Sequence, residues 1–215
     1  MNRKEIKELA KEKIKGNKWN LIWPVLVISV ISSIIVRIFG GPINFDFSKV
    51  ESLSRMNYSP MQYGGNILST LVTGLLSAGF MAYVLNFVRK GNFDTNKIIE
   101  TIKAKWVNIL IATILVMVIL ALCFCLLVIP GIIMSLAYAM VIFLVIDTDV
   151  AGSDSLKASR EMMKGYKWDY FVFCLSFIGW ILLIPLTLGI ILIWLYPYML
   201  VAKTIYYDKL KNIKK

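Results

Sequence analysis

The chain has no histidine and only three cysteines among 215 residues. The first absence removes the commonest general base and metal ligand, so any enzyme chemistry would have to rely on carboxylates, Lys, Tyr or Cys. Cys123, Cys125 and Cys174 all lie inside apolar runs, and the first two are spaced to point to different faces of a helix. They read as small packing residues and not as a disulfide or a metal site. No GxSxG elbow, HExxH pair or Walker-type glycine loop is present. Acidic residues are also scarce, with 13 Asp and Glu against 24 Lys and Arg, a formal net charge of +11. The basic segments carry no interleaved stacking aromatics, which argues against nucleic acid as a partner. Catalytic residues, cofactors and metal ligands are therefore expected to be absent, and the protein is read as non-enzymatic. The nearest approach to a paired carboxylate is Asp147 with Asp149. It is read as a helix end in cytoplasmic water that caps the next element, the alternative being a cation or substrate site.

What the chain has in excess is apolar surface. It is 58% hydrophobic with a mean hydropathy of +0.71, more than a soluble domain of this size needs for its core. Six windows approach bilayer-spanning length: Leu21 to Phe39, Ile67 to Val88, Val107 to Ile129, Ile132 to Ile146, Tyr170 to Ile184 and Ile190 to Tyr206. The fourth and fifth are short. A helix of that length reaches only about 22 Å, so both must borrow flanking residues or sit in locally thinned lipid.

Charge placement orients these windows. Residues 1–18 hold seven Lys or Arg, 89–105 five, 157–167 four and 203–215 five, whereas Arg37, Lys49 and Arg55 lie at or in the loop between the first two windows and the two other outer turns carry none. By the positive-inside rule both termini and both even-numbered loops are cytoplasmic. The leader mixes Glu5, Glu8 and Glu12 among its lysines and lacks a small-residue cleavage site, so the first window reads as a retained anchor.

A Lys-Trp pair opens three of the apolar runs: Lys18-Trp19, Lys105-Trp106 and Lys167-Trp168. Lys15-Gly16-Asn17-Lys18-Trp19 repeats as Lys164-Gly165-Tyr166-Lys167-Trp168, with Glu12 and Glu161 at the same offset of 149 residues. The middle copy is weaker. Before each pair lies an amphipathic segment. Ile6, Leu9, Ala10 and Ile14 share a face in the first; Ile98, Ile99, Ile102 and Trp106 in the second, opened by Asp94; Leu156, Ser159, Met162 and Met163 in the third, opened by Ser153 or Asp154 and stopped at Gly165. These helices are expected in the cytoplasmic interface, lysines toward headgroups and apolar stripes inward, with each Lys-Trp pair anchoring the turn into the bilayer. Trp19 and Trp106 are 87 residues apart but Trp106 and Trp168 only 62. The excess matches one long outer loop, about residues 40–65, in place of the tight turns expected at Ile129-Pro130-Gly131 and Pro185–Gly189. Every copy starts and ends on the cytoplasmic side, so the copies are parallel, unlike the inverted halves of many transporters.

In the second window Thr70, Gly74, Ala78 and Ala82 recur four apart, beside a row of hydroxyls at Ser69, Thr73 and Ser77. Such a ridge lets another helix approach closely, with hydroxyls bonding across the contact. Packing within the monomer, a homodimer seam and a polar path are all open to it.

The stretches from Leu126 to Ile133 (LLVIPGII), Ser155 to Trp168 (SLKASREMMKGYKW), Leu175 to Trp180 (LSFIGW) and Tyr196 to Met199 (YPYM), with Arg3 to Ala10 (RKEIKELA), carry a resemblance. The chain resembles the bacterial integral membrane family known as domain of unknown function 975, over nearly its whole length apart from the outer loop. The resemblance implies a polytopic cell-membrane protein, mainly of Gram-positive bacteria. It implies no activity and no catalytic residues. A fainter similarity to the membrane region of some glycerophosphodiester phosphodiesterases leaves out their catalytic carboxylates and metal site.

The expected fold is an all-α membrane protein: six transmembrane helices in three parallel repeats, each an interfacial amphipathic helix plus a helical hairpin. The whole chain, 1–215, forms one polytopic domain, with repeats of about 1–88, 89–147 and 148–215. Its partners are membrane lipids, through anionic headgroups on the cytoplasmic side, and a second copy or another membrane protein. The expected role is a scaffold or accessory to export, transport or toxin immunity. The alternative is a small-solute transporter with a path between the repeats. Cysteine scanning tests the topology: labels at positions 2, 95, 160 and 213 are expected to react from the cytoplasm and one at position 55 from outside. External reaction at 160 would overturn the six-span arrangement.

Overall fold

The computed structural model describes residues 2–39, 60–126, 128–187 and 189–214. Most of the expected outer loop, with Lys49 and Arg55, lies outside these described residues. Among the described residues every regular element is helical. The order is α1 (Arg3–Ile14), α2 (Lys18–Phe39), α3 (Pro60–Lys90), α4 (Asn96–Leu126), α5 (Val128–Ala137), α6 (Val141–Asp147), α7 (Asp154–Met162), α8 (Lys167–Leu175), α9 (Ile178–Ile181), α10 (Leu183–Leu186) and α11 (Leu192–Ile213).

Local chemistry explains where these helices begin and bend. The Asn2 side chain accepts the Glu5 N–H at the start of α1, and Asp94 accepts the Asn96 N–H at the start of α4 at 3.0 Å. Ser153 makes no capping bond, because it already has helical backbone angles. Gly16 and Gly165, each three residues before its Trp, have φ of +92° and +87°. That left-handed conformation stops α1 and α7 and is open to Gly at little cost. The middle copy, with Lys103 at the equivalent position, bends instead at Lys105 (φ −127°, ψ 15°), which divides α4 into a short leading piece and a long apolar one.

Among the described residues five helical segments are long and apolar enough to cross a membrane: Lys18–Ile35, Ile67–Lys90, Asn96–Phe124, Ile129–Asp147 and Lys167–Leu186. The fourth and fifth do borrow flanking residues, and both are broken. Ile129, Pro130 and Gly131, expected as a tight turn, lie in the first turn of α5. Proline fits there, because the first helical turn needs no N–H from it and matches its fixed φ. The fourth segment is interrupted between Ala137 and Val141, and the Ser159 hydroxyl of α7 supplies a 2.8 Å bond to the Ala137 carbonyl. The sixth window became α11, where Lys203, Asp208, Lys209 and Lys211 follow a short apolar stretch.

That helix buries ten of its residues. Tyr206 and Tyr207 are fully buried in a core with Ile6, Ala10, Leu21, Phe80, Tyr83, Met140, Phe143, Met163, Tyr170 and Phe173. Tyr206 meets Tyr170 edge-on at 5.0 Å between ring centroids, and Phe143 stacks on Tyr207 at 5.0 Å. A second cluster joins Ala78, Ile109, Ala112, Tyr138, Val141, Val145 and Leu156. The first and third amphipathic segments therefore direct their apolar faces into protein, whereas in the second Ile99 and Trp106 are exposed. α1 runs antiparallel along α11: Lys209 bonds Glu5 at 2.5 Å near one end, and Lys18, just past the other, lies 5.4 Å over the Trp194 ring.

Gly152, in the link from α6 to α7, lies close against the backbone of α4. A Cβ there would fall 2.5 Å from the Asn108 carbonyl oxygen and 3.1 Å from the Ile111 Cβ, whereas one at Gly179 would meet nothing within 4 Å. Backbone cannot yield as a side-chain tip does. Gly152→Ala is expected to destabilise the protein by about 1–3 kcal/mol, and Gly179→Ala to leave it unchanged or slightly stabler. Melting both in one detergent checks this, and equal melting temperatures would contradict the close packing of this link on α4.

Candidate functional site

Three helices that return through the bundle end on one charged cluster. α3 supplies Arg89, α6 ends on Asp147, and α11 supplies Tyr207, Asp208 and Lys211. Helical spacing assembles it. Phe143 and Asp147 lie four apart on α6, Tyr207 and Lys211 four apart on α11, so the stacked Phe143–Tyr207 rings bring carboxylate and ammonium together one turn further on. Arg89 forks onto Asp147 with both terminal nitrogens, one at 3.0 Å. It also donates to Asp208 through Nε at 3.0 Å and Nη2 at 2.6 Å. Lys211 pairs with Asp147 as well, and the Tyr207 hydroxyl donates to Asp147 Oδ2 at 2.8 Å. Burial first, then the Asp147 carboxylate, push the Tyr207 phenol well above its ordinary pKa.

Asp147 was expected in water at a helix end. It does end α6, but its side chain is only 7% exposed and is held by three donors. The correction has a simple cause: Arg89 and Lys211 are distant in sequence, and only the packing of α3 and α11 brings them to it. Asp149 fits the solvated reading better, being fully exposed, with Lys105 3.4 Å away. A carboxylate whose acceptor sites are filled by Arg, Lys and Tyr is a structural tie between helices, and its lone pairs are not open to a substrate.

The expected anchors divide. Trp19, Trp106 and Trp168 are all exposed, Trp168 packing against Phe171 at 5.3 Å. Lys167 is half-buried, and Lys18 covers Trp194. Lys105 turns inward instead: its ammonium donates to the Ile146 and Thr148 carbonyls at 3.1 and 2.8 Å. It thereby supplies the unsatisfied C-terminus of α6, where a cation is also favoured by the helix dipole.

The ridge on α3 is occupied from within the molecule. Gly74 faces Thr113 of α4, where a Cβ would sit 3.6 Å from its methyl group, and Ala78 is buried against Ile109 and Ala112. Ser69 is buried and Thr70 exposed. The hydroxyls were expected to bond across the contact, but Thr73 donates to the Ser69 carbonyl at 2.9 Å and Ser77 to Thr73 at 2.8 Å, back along their own helix. Thr113 does the same toward Ile109. Nearby carbonyls one turn earlier satisfy these groups without a partner helix. Gly79 is tighter than Gly74, since a Cβ there would meet Ile98 and Ile102 at 2.8 and 2.9 Å.

Sequence reasoning singled out neither Arg89 nor Asp208 and Lys211. Their signal was an ionisable residue at the end of an apolar run, read there only as orienting charge. The chain belongs to the family described as protein of unknown function DUF975, whose model matches residues 1–129 and 114–214. No curated protein and no solved structure matches it.

Removing the shared carboxylate tests the cluster. Breaking a well-buried ion pair costs about 3–5 kcal/mol, but Arg89 and Lys211 retain 35% and 27% exposure, so Asp147→Asn is expected to cost about 1–3 kcal/mol. Combined with Arg89→Gln the loss should fall short of the sum of the two single losses, because both remove the same contact. Strict additivity in a thermal-melt cycle would show that the two groups do not act together.

Proposed function

We propose that this is a multi-pass protein of the bacterial cell membrane that acts as a non-enzymatic scaffold or accessory to a membrane process such as export, transport or toxin immunity. In this reading both termini are cytoplasmic and the chain makes three parallel repeats, each an interfacial amphipathic helix followed by a hairpin, with α11 completing the sixth span. The two matched glycine joints, each just before a Lys-Trp pair, and the bend at Lys105, the lysine of the middle pair, support the repeat. The basic residues gathered at the α1, α3, α7 and α11 ends support the orientation.

One observation carries the scaffold reading. The three returning helices are joined to one another through Asp147, and the small-residue ridge that could have lined a path is filled by α4. A transporter needs elements that separate and rejoin around a site, whereas this arrangement joins them through charge and close packing.

Substitution of Gly74 separates the scaffold from the transporter. Alanine there is expected to be tolerated, since its Cβ would make ordinary contact with Thr113, while leucine should drive α3 and α4 apart and lower the melting temperature by several degrees. Both proteins are purified, melted, sized in detergent and reconstituted into vesicles exposed to a panel of small solutes. An unchanged melt and size in Gly74→Leu, together with solute uptake present in the parent and lost in the variant, would overturn the scaffold and support a solute path.

A further inference from the structure

The joint between α1 and α2 opens on a groove of about 710 Å³. One side carries Lys11, Lys15 and Lys18, with Glu12 the acidic residue among them; the other carries Trp180, Trp194 and Tyr198, with Ile14, Ile191 and Leu195 completing the lining. Lys11, Lys15 and Lys18 are exposed, and so are Trp180 and Trp194. The groove thus joins a net positive rim to an apolar, aromatic wall, and the Lys18 ammonium stands over the Trp194 ring at their meeting line. Its volume is that of a ligand site.

We propose that this groove binds an anionic glycerophospholipid, phosphate on the Lys11, Lys15 and Lys18 rim and acyl chain along Trp180, Ile191 and Trp194. This deepens the scaffold reading and rests on it only for the placement of α1 and α2 at a membrane surface. Charge complementarity selects the headgroup, because three ammonium groups against one carboxylate favour a phosphodiester with net negative charge over a zwitterionic one. The apolar wall selects a lipid over a free anion, which would leave two indoles and two aliphatic side chains in water. The matching joint at Gly165 leads into Trp168 and Asp169, and Asp169 already pairs with Arg3 and accepts from Tyr206. Asn20 holds the position equivalent to Asp169 after Trp19, so the first joint has no acidic residue there to oppose an anion.

Brominated lipids test this through the fluorescence of Trp194. In full-length protein carrying Phe at Trp19, Trp23, Trp106, Trp168 and Trp180, brominated phosphatidylglycerol is expected to quench Trp194 at roughly a tenth of the mole fraction needed by brominated phosphatidylcholine. Changing Lys11, Lys15 and Lys18 together to Gln should abolish that preference, while the same change at the exposed Lys90, Lys103 and Lys157 should retain it. Native mass spectrometry of the chain with its own tryptophans, offered equal amounts of the two lipids, gives the same comparison should the single-Trp protein fail to fold. Equal quenching by the two lipids, or equal loss of preference in both lysine triples, overturns the site. Displacement of the brominated lipid by glycerol phosphate at comparable concentration would make the ligand a free phosphate and overturn the lipid assignment. None of these results bears on the Gly74 experiment, so groove and scaffold can fail separately.

Discussion

The arrangement depends most on one carboxylate. Asp147 lies where α3, α6 and α11 converge, and it joins Arg89, Tyr207 and Lys211 in a single contact. A charge so nearly enclosed would be unfavourable by several kcal/mol if left alone, and it is retained because each of its acceptor sites is filled. Arg89 then extends the tie to Asp208, so that two acids and two bases share one geometry. The planar fork of Arg89 suits this role, since it meets two carboxylates at fixed angles where a lysine would meet one. The apolar core beside the cluster is aligned by the same contact, through the Phe143–Tyr207 stack one helical turn away.

Around that convergence the amphipathic segments serve as walls. Ile6 and Ala10 of α1 are fully buried, as are Ser155, Ser159 and Met163 in and just after α7. Their apolar stripes therefore meet protein, and only the polar faces remain exposed. This differs from a surface-seeking helix, whose apolar face enters lipid and whose attachment depends on that burial. α1 is thus a part of the fold as integral as any span, and its stability should follow that of α11, along which it lies.

Much of this was legible in the sequence. Helical periodicity marked the faces of α1 and α7 residue by residue, and the Lys-Trp pairs marked where the following helices begin, because both signals are local. Helix interruptions were harder to read. The Ala137–Val141 break has no Pro or Gly within it, and its freed carbonyl is satisfied by Ser159, far along the chain. Pro130 was a misleading sign, since proline both ends helices and opens them. Partnerships such as Arg89 with Asp147, or α1 with α11, depend on which helices come to lie side by side. No spacing along one chain encodes that.

The same limit applies to the positive charge. A basic segment beside a span is read as orienting charge, yet several of these cations serve helix ends. Lys13 donates to the Val88 carbonyl near the end of α3, Lys7 to Ser176 just past α8, Lys105 to Ile146 and Thr148 at the end of α6, and Lys214 to Lys164 after α7. The C-terminus of a helix leaves carbonyls without partners and a negative dipole end, and a lysine ammonium answers both. Such lysines would be favoured there even without an electrical bias during insertion. The lysines left without such a carbonyl are accordingly fewer than the basic count suggests, and they are unevenly placed. Where α1 gives way to α2, Lys11 and Lys15 point outward and Lys18 rests on an indole, so that joint keeps a positive field of its own beside an apolar wall.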